Sequence, residues 1–106
     1  MRAYGKIEST FWQNPKMKPL SDTEKLFLLY IYSTPHGNSL GCFILPVGYI
    51  SADMNWPFER VTKHVNELVS KGFIEWNETL NLVKINGWFD HNTIENINVA
   101  KAAVKT

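Results

Sequence analysis

Residues 57–71 read PFERVTKHVNELVSK and form the most regular amphipathic segment of the sequence. The apolar side chains of this segment recur at helical spacings, at Phe58, Val61, Val65, Leu68 and Val69. Such spacings place side chains on one face of a helix. Pro57 suits the first turn, where its missing amide donor is not needed, and Gly72 permits the left-handed conformation of a helix end. The pattern predicts a helix over residues 57–71 with a polar opposite face.

A capping box predicts the start of an earlier helix. In residues 21–24, SDTE, the Ser21 hydroxyl can accept from the third helical amide while the Glu24 carboxylate reaches back to the cap amide. The apolar side chains of residues 26–31 cover more than one face, which indicates a central and largely buried helix. This helix is predicted to end before the turn-forming residues 34–38, TPHGN.

A short strand and a second helix are predicted between these two helices. Residues 41–45, GCFIL, are an apolar run of strand length, in which Cys42 is predicted to be a small buried side chain. Pro46 suits the first turn of a short helix, and residues 53–57, DMNWP, interrupt it. Trp56, in this interruption, is predicted to lock the angle between the two flanking helices.

Two β-prone stretches, 73–77 and 80–85, follow Gly72 and predict a hairpin with a short polar connection. A further capping box at residues 92–95 then predicts a weakly amphipathic helix over 92–105. The order helix, strand, short helix, longer helix and hairpin is that of a winged helix-turn-helix. We therefore predict an α+β, mainly helical fold, with a three-helix core and a β-hairpin wing.

The chain length of 106 residues and the 44% hydrophobic content predict one domain over residues 1–106 with a substantial core. Its predicted parts are an N-terminal arm over 1–20, the helical core with the helix-turn-helix over 21–71, the wing over 73–86 and the C-terminal helix over 92–105. The arm is locally basic, because it holds four cations, Arg2, Lys6, Lys16 and Lys18. The apolar side chains of the arm are predicted to dock on the core, namely Tyr4, Ile7, Phe11 and Trp12.

Composition narrows the function classes. No run of about 18 apolar residues and no secretory N-terminus are present, which predicts a soluble, cytoplasmic protein without membrane contact. The single Cys42 and the scattered histidines His36, His64 and His91 lack metal-ligand spacing. No glycine-rich phosphate loop is found either. We therefore expect no catalytic residue, no metal and no cofactor, and predict that the protein is not an enzyme.

The polar face of the helix over 57–71 holds the main candidate DNA contacts. Arg60 can fork onto a guanine edge or a phosphate, and Lys63 can meet a phosphate as a point charge. Thr62 and Asn66 can add hydroxyl and amide contacts. The other candidates are His64 at the boundary of this face, Lys84 in the wing, and Lys6 and Arg2 in the arm. The alternative is an ordinary solvated face with ion pairs among Glu59, Arg60, Lys63 and Glu67.

The wing leaves a second interpretation open. Glu75 and Glu78 would be repelled by a polyanion unless they point away from it, and the net charge of the chain is only +1. The domain could therefore be a protein-interaction or dimerisation module. Tryptophans can also provide stacking platforms for single-stranded bases, although core packing is the interpretation we favour for Trp56, Trp76 and Trp88.

A family resemblance is carried by residues 4–7 (YGKI), 11–12 (FW), 33–43 (STPHGNSLGCF), the helix positions Pro57, Val61, Val65 and Leu68, 72–74 (GFI) and 86–92 (NGWFDHN). With these segments the chain resembles the N-terminal domain of phage and prophage replication proteins, over nearly its whole length. Members of that family act as replication initiators or replisome organisers. They bind origin DNA through this domain and recruit helicase machinery through a later region.

The resemblance implies a DNA-binding domain of a replication initiation protein in the cytoplasm of a bacterial host, with Arg60, Lys63 and Asn66 at recognition-helix positions. Its expected partners are duplex DNA and other replication proteins. In the family, those proteins bind the later region, which does not follow Thr106 in this sequence. We therefore expect either a shortened form of such a protein or a shorter relative. A domain of this size covers few base pairs, which favours a homodimer or multiple copies. A transcriptional regulator would use the same DNA chemistry and stays open.

Overall fold

A computed structural model describes residues 1–87 of the chain. These residues form a short 3-10 helix (Ser9–Gln13), the helices α1 (Asp22–Ser33), α2 (Val47–Met54) and α3 (Phe58–Ser70), and the strands β1 (Cys42–Ile44), β2 (Ile74–Asn77) and β3 (Leu82–Ile85). The α+β class and the order of elements are confirmed for this part. The predicted helix over 92–105, with Trp88 and His91, lies outside the described residues.

The capping box predicted at Ser21 is present. The Ser21 hydroxyl accepts from the Glu24 amide at 3.1 Å, and the Ser21 amide donates to the Glu24 carboxylate at 3.0 Å. Glu24 also accepts a hydrogen bond from the Lys71 ammonium, which lies at the C-terminal cap of α3. The capping group of α1 therefore also joins the start of α1 to the end of α3.

The core lies between the three helices and one face of the sheet. α1 is central, as predicted, with Phe27, Leu28 and Ile31 fully buried. Aliphatic side chains from the rest of the fold pack around α1 and are almost fully buried: Leu45, Ile50, Val61, Leu68, Ile74 and Val83. This contiguous apolar cluster holds α3 by one side and leaves its opposite side in solvent.

The three strands form one antiparallel sheet in the order β1-β3-β2. Val83 of β3 is paired with Phe43 on one side and Trp76 on the other, and this row faces the core. The next row, with Lys84 between Cys42 and Glu75, lies on the opposite face, because side chains alternate along a strand. The prediction of a buried Cys42 is therefore wrong, since the side chain is half-buried on the outer face.

The connection between α2 and α3 is short and locked by hydrogen bonds. Asn55 ends α2 in the left-handed conformation, with φ 56°. The Trp56 amide donates to the Ser51 carbonyl at 3.2 Å, and the Ser51 hydroxyl donates to the Trp56 carbonyl at 2.6 Å. Trp56 is 7% exposed and its ring centroid lies 5.5 Å from that of Phe27. The predicted core packing of Trp56 is confirmed, and its ring contacts side chains of α1 and α3.

A polar cluster fixes α2 against α1 and the turn that follows α1. Asp53 of α2 accepts a hydrogen bond from the Tyr30 hydroxyl at 2.7 Å and lies 3.1 Å from Nε2 of His36. The His36 ring is also packed against Tyr49, with 4.8 Å between the ring centroids. Burial, and to a lesser degree the Asp53 carboxylate, raise the pKa of Tyr30 above its usual range, so this hydroxyl stays a donor.

The N-terminal segment differs from the predicted arm. Residues 9–13 form a 3-10 helix, and of the four apolar side chains expected to dock only Phe11 is buried. Tyr4 is 72% exposed and Trp12 is 62% exposed, and Ile7 is exposed as well. A single 3-10 turn presents one side chain to the core, and Phe11 takes that position against Tyr32, with 6.0 Å between the ring centroids. The docking prediction is therefore wrong for Tyr4, Ile7 and Trp12.

Candidate nucleic-acid interface

α3 presents four of the predicted contact residues on its exposed side. Arg60, Thr62, Lys63 and Asn66 are all exposed, whereas Val61, His64, Val65 and Leu68 are buried on the opposite side. We call the four exposed residues the polar face of α3. The helix is amphipathic with the periodicity predicted from the sequence, and its buried stripe orients the polar face away from the core.

Arg60 is oriented by the turn that precedes α3. The guanidinium carbon Cζ lies 4.2 Å from the centroid of the Trp56 ring, which is a cation–π distance. A guanidinium in a cation–π contact uses none of its N–H groups for that contact, so they stay available for bidentate hydrogen bonds. Because Trp56 is itself fixed between α2 and α3, the position of Arg60 is defined before any ligand binds.

The ion-pair network considered as an alternative for α3 is not formed among residues 1–87. Neither Arg60 nor Lys63 has a carboxylate within 4.0 Å there, and Glu67 instead lies 4.0 Å from Nε2 of His64. The two cations of the polar face are therefore not neutralised by salt bridges within the described part of the chain. α3 also carries two acidic residues, Glu59 and Glu67, so its formal charge is balanced, but neither acid forms a salt bridge with Arg60 or Lys63.

His64 does not belong to the polar face. Its Nδ1 lies 2.8 Å from the Arg60 carbonyl, and its ring packs against Trp56 with 5.0 Å between the ring centroids. The side chain is buried, since Trp56 and Phe27 cover it. Helical spacing predicts that His64 lies at the boundary of the polar face. In the structure the Trp56 ring covers His64, so this side chain is buried. We therefore leave His64 out of the interface.

Arg2 is used to close the C-terminal end of α1. Its guanidinium donates to the carbonyls of Thr34 at 2.8 Å, Tyr32 at 2.9 Å and Asn38 at 3.4 Å. Burial lowers the pKa of Arg2, although a guanidinium keeps its charge in proteins. A cation at the carbonyl end of a helix is favourable, because the helix dipole is negative there. The N–H groups expected to meet phosphate are thus bound to the chain itself.

Of the two remaining lysine candidates, Lys84 lies away from the polar face of α3. Lys84 is on the outer face of the sheet, where its ammonium is 3.3 Å from the Glu75 carboxylate. The core-facing side of the sheet is the one that packs against the helices, so Lys84 and α3 are on opposite sides of it. Lys6 is exposed on the N-terminal segment and forms no ion pair within residues 1–87.

A cleft between α3 and the hairpin was not predicted from the sequence. It has a volume of about 150 Å³ and is lined by Val47, Thr62, Val65, Asn66, Trp76, Glu78 and Asn81. We call it the α3–hairpin cleft. Asn81 adopts the left-handed conformation in the hairpin loop, with φ 52°, which asparagine tolerates better than most residues. The approach of Asn66 to Glu78 depends on tertiary packing.

Two further findings concern residues 1–87 as a whole. No group of three or more His, Cys, Asp or Glu side chains is placed to hold a metal ion in this part of the chain. The helices described there are also too short or too polar to cross a membrane.

Comparison with known protein families, curated proteins and solved structures gives no significant match to this chain.

Proposed function

We propose that this chain is a winged helix-turn-helix DNA-binding protein in which the polar face of α3 reads the major groove of duplex DNA. The observation that carries the proposal is the pair of cations on that face, Arg60 and Lys63, which no carboxylate neutralises within residues 1–87. An Arg and a Lys on an exposed helix that form no salt bridge there, with the Arg placed over the Trp56 ring, are suited to a polyanion.

The arrangement of the helices supports the same proposal. α2 and α3 are joined by a three-residue turn, Asn55–Pro57, and α1 packs behind α3. In helix-turn-helix proteins the second of two such helices lies in the major groove, with residues of its N-terminal half on the base edges. Arg60, in the first half of α3, would donate two hydrogen bonds to a guanine edge, and Lys63 would contact a phosphate. Thr62 and Asn66 would add hydroxyl and amide contacts, Asn66 from the second half of the helix.

The biological role that we propose is initiation of phage or prophage DNA replication in the cytoplasm of a bacterial host. It is supported by the resemblance of the sequence to the N-terminal domain of phage replication proteins. The protein would bind as a homodimer or in several copies and would act together with other replication proteins. Transcriptional regulation requires the same contacts with DNA and is the alternative role for the same site.

The charge dependence of DNA binding tests the proposal. Lys63→Ala should reduce the slope of log affinity against log salt by about one phosphate contact, and Arg60→Ala should cost about 1–3 kcal/mol at a preferred site. Both are measured by fluorescence anisotropy of a labelled duplex at several salt concentrations. Lys25→Ala, which removes one positive charge from α1, is the matched control and should leave the slope unchanged. Equal slopes for wild type and Lys63→Ala would contradict the proposal.

A protein-interaction module is the second candidate function. The observation that favours it is the exposure of two large aromatic side chains near the N-terminus, Tyr4 and Trp12. Exposed aromatic residues are typical anchors of protein interfaces. In that case Tyr4→Ala and Trp12→Ala would weaken association with another chain, measured by analytical ultracentrifugation, while Arg60→Ala and Lys63→Ala would not.

A further inference from the structure

We propose that the α3–hairpin cleft binds one unpaired nucleobase and prefers cytosine to thymine. This inference rests on the proposed nucleic-acid function, and it adds a base-specific site that shares Thr62 and Asn66 with the polar face of α3. It is carried by the size of the cleft, by its mixture of apolar and polar lining residues, and by the position of a carboxylate, Glu78, on its wall.

The size of the cleft fits a single ring. Its volume is about 150 Å³. Protein cavities of about 150 Å³ take up one benzene-sized molecule. A pyrimidine base has one six-membered ring of this kind, whereas a purine has a second ring that would have to project from the cleft. The cleft is therefore matched to a pyrimidine.

The apolar lining suits the faces of an aromatic ring. Val65 is buried, and Val47 and Trp76 are half-buried, so these three side chains form the inner part of the cleft. Bases of single-stranded nucleic acids stack favourably on aromatic side chains. A base in a duplex is already stacked on its neighbours, so an unpaired base is the form that can enter.

The polar lining can read the edge of that base. Thr62, Asn66 and Glu78 are exposed around the apolar part of the cleft, and Asn81 is half-buried beside them. None of these four side chains forms a hydrogen bond or an ion pair with another residue of the described chain, 1–87. Their donors and acceptors are therefore available to a ligand.

Glu78 sets the preference between the two pyrimidines. An ionised carboxylate only accepts hydrogen bonds, and cytosine offers an exocyclic amino donor where thymine has a carbonyl acceptor. Thymine would bring its oxygen against the carboxylate, which is unfavourable. A carboxylate would also repel a phosphate, so the acidic residue that is unexpected in a phosphate-binding wing is explained if it faces the edge of a base.

The wall that carries Glu78 is held in place before a ligand binds. The Leu80 amide donates to the Asn77 side-chain oxygen at 3.1 Å, which closes the hairpin loop. The Leu45 amide donates to the Asn81 carbonyl at 2.7 Å, which ties the end of the loop to the chain after β1. Because the wall is already ordered, binding carries a smaller entropic cost.

The test compares binding of labelled 12-nucleotide oligo-dC and oligo-dT at neutral pH by fluorescence anisotropy. Wild type should bind oligo-dC about tenfold more tightly, as expected for one charge-assisted hydrogen bond. Glu78→Gln offers both a donor and an acceptor, so the ratio of the two affinities should fall to about one. Glu75→Gln is the matched control, because Glu75 lies on the outer face of the sheet and its loss should leave the ratio unchanged.

The ratio of the two affinities separates base recognition from general charge effects. The general effect of removing one negative charge is the same for both oligonucleotides and cancels in the ratio, whereas the loss of a hydrogen bond to cytosine does not. In the same experiment the side-chain amide resonances of Asn66 and Asn81 should shift on addition of oligo-dC, measured by ¹⁵N correlation spectra. Equal affinities of wild type for oligo-dC and oligo-dT, together with salt-dependent duplex binding, would overturn this inference and leave the proposed function standing. Absence of binding to any DNA would overturn both.

Discussion

Glu24 illustrates how much a single residue contributes to this fold. Its carboxylate accepts hydrogen bonds from the Lys71 ammonium and from the Ser21 amide, and these hold the pKa of Glu24 down at about 2 despite burial. The ionised form is thus the one that the folded protein stabilises. Because the folded pKa lies below the ordinary value of 4.5, the contribution to stability is present above pH 4.5 and is lost as the pH falls toward 2.

Glu24→Gln should therefore lower the free energy of unfolding at pH 7 by about 1 kcal/mol, since the variant keeps an oxygen for the cap but loses the charge. The difference between wild type and variant should shrink as the pH is lowered from 5 toward 2. Urea unfolding at a series of pH values measures it. Asp22→Asn, a neighbouring exposed acid in the same helical turn, is the control. A difference that is constant with pH would show that the ion pair with Lys71 does not stabilise the fold.

Arg2 is a second residue whose contribution depends on distant partners. Its guanidinium bonds to carbonyls 30, 32 and 36 positions along the chain. Arg2→Ala should reduce the free energy of unfolding by about 1–3 kcal/mol, because the carbonyls at the end of α1 lose charged donors. Lys6→Ala, which removes an exposed cation of the same segment, should change it by less than about 0.5 kcal/mol. Thermal unfolding of both variants decides between this role and a phosphate-binding role for Arg2, in which only DNA affinity would change.

Among the elements, the turn between α2 and α3 controls the presentation of the polar face. Asn55 adopts the left-handed conformation there, and Trp56 supports both His64 and Arg60. Asparagine tolerates this conformation, glycine adopts it without strain, and a β-branched residue does not. The orientation of α3 relative to α2 thus depends on the identity of one backbone position.

Asn55→Val should accordingly lower the free energy of unfolding by about 1–2 kcal/mol, the cost of a left-handed conformation for a residue with a branched side chain. Asn55→Gly should be close to neutral in the same measurement, by chemical denaturation. If the valine variant were as stable as the glycine variant, the strained turn would not be what fixes the two helices.

At the scale of the whole molecule, the sequence predicts the elements well and the side-chain sites less well. The helices, the hairpin and the capping box at Ser21 follow from periodicity and from caps, which act within a few residues. The bond from Lys71 to Glu24 spans 47 positions and no local pattern contains it. Burial of His64 under Trp56 and the approach of Glu78 to α3 likewise depend on how the elements pack.

The distribution of charge over the molecule explains why a nearly neutral protein can bind DNA. The described cations outside α3 include several that are already engaged, since Arg2 binds carbonyls, Lys71 binds Glu24 and Lys84 binds Glu75. Lys6, Lys16, Lys18 and Lys25 form no ion pair within residues 1–87 but are spread over the N-terminal segment and α1, whereas Arg60 and Lys63, also without an ion pair there, lie on one side of one helix. The affinity for DNA should therefore be concentrated on the polar face of α3.

Binding of a labelled duplex by the Arg60→Ala/Lys63→Ala double variant shows whether α3 is the element that contacts DNA. The control is Lys25→Ala/Lys84→Ala, which also removes two positive charges, one from α1 and one from the outer face of the sheet. At about 0.1 M salt the first variant should bind about tenfold or more weakly than wild type, while the control stays close to wild type. Equal losses in the two variants, or no loss in either, would contradict the assignment of α3 as the DNA-reading element.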